Sequence, residues 1–228
     1  MIFDFSPYFK RYEDLTIKCG QAFDKIKEEY PDCVKCVINC SDCCHALFDL
    51  TLIEAIYINH YFNEMIADEK REEIINLANI ADRSVYKIKR KAHQDYKSGE
   101  SEDNIIAQIG NERVRCPFLD QEDKCSLYSR RPITCRLYGI PTSIGGKGHT
   151  CGESNFVEGV SYPTVNLDII HNELYMISSD LVKAIKTPYV KMSDLLVPLS
   201  MALLTEYSDE YFGLAESKEK SESEEQKG

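Results

Sequence analysis

The chemistry this chain can offer lies in its cysteines. Five of the ten fall within twelve positions: Cys33-Val-Lys-Cys36-Val-Ile-Asn-Cys40-Ser-Asp-Cys43-Cys44. Packing does not explain that density. A buried structural cysteine behaves as a small hydrophobe and has no reason to recur every two or three positions. Metal sites do produce such recurrence, because short spacings let two thiolates turn back onto one ion or cluster.

A second, dispersed group follows: Cys116, Cys125, Cys135 and Cys151. It falls where Gly, Pro and Cys punctuate the chain and loops can converge on an ion. Cys19 lies apart, on an apolar helical stripe, and reads as a core residue. That leaves nine candidate metal ligands. Structural zinc takes four thiolate or imidazole ligands, and so does a typical iron–sulfur cluster. Nine thiols therefore suit two centres, or one centre with spare thiols. Side chains of adjacent residues diverge in extended chain, so one of Cys43 and Cys44 is free to serve a second centre. Read together, the two groups are expected to form a site assembled from distant segments.

Arginines accompany the second group. A four-thiolate site is anionic, and Arg115, Arg131 and Arg136 are placed to offset that charge and donate hydrogen bonds to sulfur. His45 and His149 are near cysteines, but the default for each is a satisfied or exposed ring. Pro117 and Pro132 fix the turns beside two of the cysteines.

Composition narrows the classes. The 228 residues carry 38 Asp+Glu against 27 Lys+Arg, for a formal charge of −11. That argues against non-specific nucleic-acid binding and against docking on anionic lipid. The N-terminus reads Met-Ile-Phe-Asp-Phe-Ser-Pro, with no basic region before an apolar one, and no run approaches the ~18 apolar residues of a spanning helix. A cytoplasmic location is expected, where thiols stay reduced and serve as ligands or redox groups before disulfides. The expected partner is a redox or other protein partner, with no nucleic acid and no membrane.

The elements that must position the cysteines read as mainly α. Tyr8, Tyr12, Leu15, Cys19, Ala22, Ile26 and Tyr30 form one stripe of a helix over 8–30, ended by Pro31. Thr51 with Glu54 makes a capping box opening a helix over 51–65. A long helix over 68–97 carries Ile74, Leu77, Ala78, Ala81, Val85, Ile88 and Ala92 on one face. Its basic run at 87–91 reads as a solvated face. Residues 98–104 read as a polar loop. Residues 114–119 and 124–128 are expected to pair as a short β-hairpin, and the glycines at 145, 146 and 148 as a flexible loop. Helices return at about 167–184, closed by Pro188, and at about 193–207, with Pro198 near its start. The expectation is a helical scaffold around a small irregular cysteine-rich metal-binding region with a short β-hairpin. One domain is expected over 1–215, with the cysteine region at 33–151 and helical flanks. Residues 216–228, charged and without apolar residues, read as a disordered acidic tail.

Two resemblances bear on function. Cys36-x3-Cys40-x2-Cys43 matches the cysteine pattern of radical S-adenosylmethionine enzymes. Asp42 stands where those enzymes usually carry an aromatic, and no βα series follows. The broader resemblance rests on Arg115-Cys116-Pro117-Phe118-Leu119, Cys125-Ser-Leu-Tyr128, Arg131-Pro132-Ile-Thr-Cys135-Arg136 and Tyr138, together with Cys40-x2-Cys43-Cys44. This set resembles the cysteine-cluster family of zinc- or iron-chelating domains, the CxxCxxCC or YkgJ-like proteins. Cys36 stands one residue further from Cys40 than the short form of the pattern expects, and Cys33 is an extra candidate, so either is a possible fourth ligand. The resemblance implies a metal site. A similar cysteine domain in flagellin lysine methylases makes methyl transfer conceivable.

The leading expectation is an iron–sulfur protein, with a 4Fe–4S cluster, in electron transfer or another redox step. The alternatives are a structural Zn2+ protein acting through partner binding, and a cluster-dependent methyltransferase-like enzyme. No Ser/His/Asp or Cys/His nucleophile arrangement is readable.

Overall fold

The computed structural model describes residues 3–37 and 40–214. The expected tail at 216–228 lies outside the described residues. The fold is mainly α, as the sequence predicts. Helix α1 spans Ser6–Glu29, α2 Leu52–Met65, α3 Asp68–Lys97, α4 Glu102–Asn111, α5 Ile133–Leu137, α6 Leu167–Ile185 and α7 Leu199–Leu204.

Helix α2 is the centre of the core. Its capping box forms as expected, with Glu54 accepting the Thr51 backbone N–H at 3.2 Å. Leu52, Ile53, Ala55, Ile56, Ile58 and Phe62 are all buried. A helix that is apolar nearly all round must be surrounded, and α1, α6 and α7 pack against it. Helix α1 turns Tyr12, Leu15, Cys19 and Ile26 inward, so Cys19 is a core residue. Its thiol is pushed up to about 11, chiefly by burial. Helix α3 buries Ile74, Ala78, Ala81 and Val85. From its basic run, Lys89 reaches Asp49 at 2.6 Å, while Lys87, Arg90 and Lys91 are exposed.

The strands are short. Strand β1 (Asp49–Thr51) pairs antiparallel with β5 (Leu196–Pro198), Leu50 opposite Val197. Strand β2 (Thr142–Ile144) lies between β3 (Lys147–His149), antiparallel, and β4 (Val165–Asn166), parallel. The hairpin expected at 114–128 is instead a turn with a single antiparallel bridge, Leu119 to Cys125. Asp120 spends its carboxylate inside that turn, accepting the Glu122 and Lys124 N–H groups at 2.8 Å. The hairpin proper is β2–β3, in the segment that reads as a flexible loop. Gly145 and Gly146 both take positive φ there, which suits a two-residue hairpin turn.

Two other segments differ from expectation. Within the polar stretch Ser101 caps α4, its hydroxyl accepting the Asn104 N–H at 3.3 Å, and Ile105 is buried. The helix expected at 193–207 is divided. A 3-10 turn (Val190–Asp194), then β5, precede α7, because Pro198 has no N–H to continue a helix upstream of it.

Candidate metal centre

Two irregular segments meet over α2 and are stitched by main-chain bonds. In the first, a 3-10 turn over Asp42–His45 carries Cys43 and Cys44. The Cys44 carbonyl accepts the Cys116 N–H at 2.7 Å, and the His45 carbonyl accepts the Val114 N–H at 3.0 Å. Residues 116–119 then make a tight turn, Leu119 N–H to Cys116 O at 3.1 Å, with Pro117 at its second position.

Helix α5 brings Cys135. Pro132 is its N-cap, and the Ile133 N–H at its start donates to the buried carboxylate of Glu54 at 3.2 Å. One side chain thus opens α2 and caps α5. Arg130, just upstream, donates to Glu13 at 2.6 Å and to the Tyr57 hydroxyl oxygen at 2.7 Å, and lies 3.9 Å from the Tyr61 ring centre. The turn before Cys135 is therefore pinned to α1 and α2.

The three arginines divide their work. Arg115 donates to the Leu119 and Asp120 carbonyls, and Arg136 to those of Arg131 and Ser129. Both guanidinium groups are thus bonded to backbone carbonyls. Arg131 stacks on Tyr128 at 4.2 Å, lines the thiol cavity, and keeps a buried Nε without a partner among the described residues.

That cavity measures about 80 Å³. Cys36, Cys40, Cys43 and Cys44 enter it from the first segment, and Cys116, Cys125 and Cys135 from the second. Ile58, Ala81, Val85, Phe118 and Leu127 form its apolar side. A smaller cavity of about 10 Å³ adjoins it, lined by Cys36, Cys40, Cys43 and Cys151. Cys33 lines neither, and its carbonyl accepts the Asn155 N–H at 2.9 Å. His45 also lines neither, its Nδ1 donating to the Ser41 carbonyl at 3.0 Å, and His149 is exposed on β3. Among the described residues, no three His, Cys, Asp or Glu side chains already converge on one point as metal ligands. The sulfurs stand along cavity walls.

The thiols interact strongly. Hydrogen bonds from Cys135 and Cys44 pull the Cys43 thiol far below its usual range, and Arg131 adds to this. Cys44 and Cys135 are held protonated by the same bonds and by burial. Burial pushes Cys116 up to about 12 and raises Cys125. Cys43 is the thiol these hydrogen bonds favour as thiolate. A bound metal reverses that balance, because its charge stabilises every thiolate it touches. The donor set is thiol alone, the soft set that suits zinc and iron–sulfur clusters, so the residues present fit such a group.

The sequence profile of the CxxCxxCC family, described as a putative zinc- or iron-chelating domain, matches residues 32–152. The chain belongs to the CxxCxxCC family. The match runs from just before Cys33 to just past Cys151 and takes in both cysteine segments, and metal binding is the family-level property. Neither a curated protein nor a solved structure matches the chain. The βα barrel that a radical-enzyme reading needs is foreign to this helical fold. Among the described residues no helix is long and apolar enough to cross a membrane.

Sequence reasoning missed Glu54, Arg130 and Gly139 as supports of the site. Glu54 was legible only as a cap. Nothing local in the sequence marks that its second oxygen serves a helix 79 positions later. Gly139 is the close neighbour of Cys36: a Cβ built there would meet the Cys36 Cβ at 2.9 Å, and its φ is +99°.

Proposed function

We propose that this CxxCxxCC protein holds an iron–sulfur cluster between its two cysteine segments and serves in electron transfer or another redox step. The observation that carries the reading is the cavity behind the thiols. A lone tetrahedral zinc, with Zn–S bonds of about 2.3 Å, draws its sulfurs into contact and leaves no room between them. The space of about 80 Å³ is several times the ~10–15 Å³ that holds one water, and suits a group of several atoms.

Two further features support it. The apolar side of the cavity limits water, and Arg131 faces the sulfurs with an unspent donor; burial and hydrogen bonding to sulfur are the means by which proteins set cluster potentials. Each of the nine candidate cysteines keeps some exposed surface, in keeping with a centre that a partner docked at the surface can reach. When bound, such a cluster supplies one-electron transfer. The partner in this reading is a redox protein rather than nucleic acid, in keeping with the charge of −11, and the compartment is the reducing cytoplasm.

The test is anaerobic purification of the full chain, with iron, sulfide and zinc analysis, a visible spectrum, and electron paramagnetic resonance after reduction. Brown protein with iron and sulfide in equal amounts is expected. Colourless protein holding only stoichiometric zinc overturns the reading in favour of a structural zinc protein.

A further inference from the structure

We infer that the thiols serve two centres, the second a single divalent ion of the zinc class held by Cys36, Cys40, Cys43 and Cys151. The cavity linings divide the cysteines. Cys44, Cys116, Cys125 and Cys135 line the large cavity alone, and those four complete one ligand set. Cys151 lines the small cavity alone. Cys36, Cys40 and Cys43 stand on the wall between the two. Those three with Cys151 make a second set of four thiols, the number tetrahedral zinc takes. The adjacent pair Cys43 and Cys44 then divides, one thiol to each centre, and ion binding replaces the hydrogen bonds that Cys44 and Cys135 give the Cys43 sulfur.

Size distinguishes the occupants. The small cavity, about 10 Å³, has room for one water-sized sphere. It admits a single ion and excludes a cluster.

Backbone donors and paired charges surround the small cavity. The Cys151 sulfur already accepts the Glu153 N–H at 3.4 Å. Asn155 ties this loop back to the chain before Cys36, donating its N–H to Cys33 O at 2.9 Å and its Nδ2 to Asp32 O at 3.0 Å. The Cys151 thiol points at the Asp42 carboxylate, 3.7 Å away, and Arg113 pairs with that carboxylate. Ion binding releases the proton of each protonated thiol to solvent, and the resulting dianionic site has Lys35 in its lining to offset the charge. The inference rests on the cluster reading only in leaving Cys44, Cys116, Cys125 and Cys135 to the first centre.

Metal content of the anaerobically purified full chain, washed with chelator, tests this in wild type, Cys151→Ser and Cys135→Ser. Wild type is expected to carry one zinc per chain beside the cluster iron. Cys151→Ser loses the zinc and keeps the iron and the visible spectrum, and Cys135→Ser does the reverse. Zinc unchanged in Cys151→Ser, or iron and zinc lost together from a variant with wild-type circular dichroism, overturns the inference. Two zinc per chain without iron, falling to one in Cys151→Ser, supports the second site while overturning the cluster; one zinc alone overturns both. If Cys151→Ser does not fold, native mass spectrometry of wild type decides. A mass increment of one cluster plus one zinc, or of two zinc, supports two centres, and an increment of a single group overturns them.

Discussion

Cys116 donates its backbone N–H to the carbonyl oxygen of Cys44 at 2.7 Å. The long helix α3 lies between these residues in sequence, so this bond and the Val114–His45 bond beside it fix the register of the two cysteine segments. A metal bound across that join has ligands on both sides. Cys44→Ser and Cys135→Ser are therefore expected to abolish cluster iron equally, although one thiol comes from each segment. Iron analysis and visible absorbance of anaerobically purified variants measure this. Full iron in either variant means that one segment binds by itself.

Arg131 is the arginine left to the sulfurs once Arg115 and Arg136 are bonded to turn carbonyls. Reduction adds negative charge to the centre, and a nearby cation stabilises the reduced form. Arg131→Met is expected to lower the reduction potential by on the order of tens of millivolts while iron content holds. Arg131→Lys restores much of the charge but not the fork of donors, and falls between. Potentiometric titration reads both variants. An unchanged potential in Arg131→Met removes the arginine from the site.

Much of this was legible in the sequence because it is local. The stripe through Tyr12, Leu15, Cys19 and Ile26, the Thr51–Glu54 box and the face of α3 each follow from spacing within one helix. The cysteine groups were legible because thiols at such density have few other uses. The β2–β3 hairpin was less so: its outward residues are exposed, so no apolar alternation announces it, and only Gly145-Gly146 marks the turn. The division of the thiols between two cavities depends on how Cys36, Cys40 and Cys43 meet Gly139 and Cys151. That is a long-range fact with no periodic signal. Arg131 differs from Arg136 only in what its guanidinium meets in space.

Glu54 links the core to the site. Burial raises its carboxyl above the ordinary 4.5, and the donors from Thr51, Ile133 and Tyr12 only partly oppose that. With its pKa raised in the folded chain, its contribution is fully present below the unfolded value and is lost as pH rises through the folded one. In Glu54→Gln one oxygen becomes an NH2 group facing donors, and a buried unsatisfied group costs about 1–3 kcal/mol. Glu54→Gln is expected to be destabilised by about that amount at acidic pH, with the gap to wild type narrowing as pH rises through the Glu54 pKa. Paired urea melts across the range measure the gap. A gap independent of pH sinks the titration, and no gap at all sinks the role in joining α2 to α5.

Gly139 is where the fold leaves room for Cys36. At φ +99° an added Cβ forces a strained backbone, costing roughly 1–2 kcal/mol. It also meets the Cys36 Cβ at 2.9 Å, with Phe23 close behind at 3.9 Å. Something must shift: Cys36 is half-buried, whereas Leu137 and Ile140 beside Gly139 are buried in the core. Gly139→Ala is thus expected to lower the melting temperature by several degrees, at about 2–4 °C per kcal/mol for a chain of this size. It is also expected to lose the zinc-class ion while keeping the cluster. Gly99→Ala is the control, because Gly99 has φ +92° with nothing within 4 Å of an added Cβ. It bears the backbone strain alone and keeps both metals. Thermal melts and metal analysis of the two variants separate strain from displacement of Cys36. Equal metal loss in both, or full zinc in Gly139→Ala, removes Cys36 from the second centre.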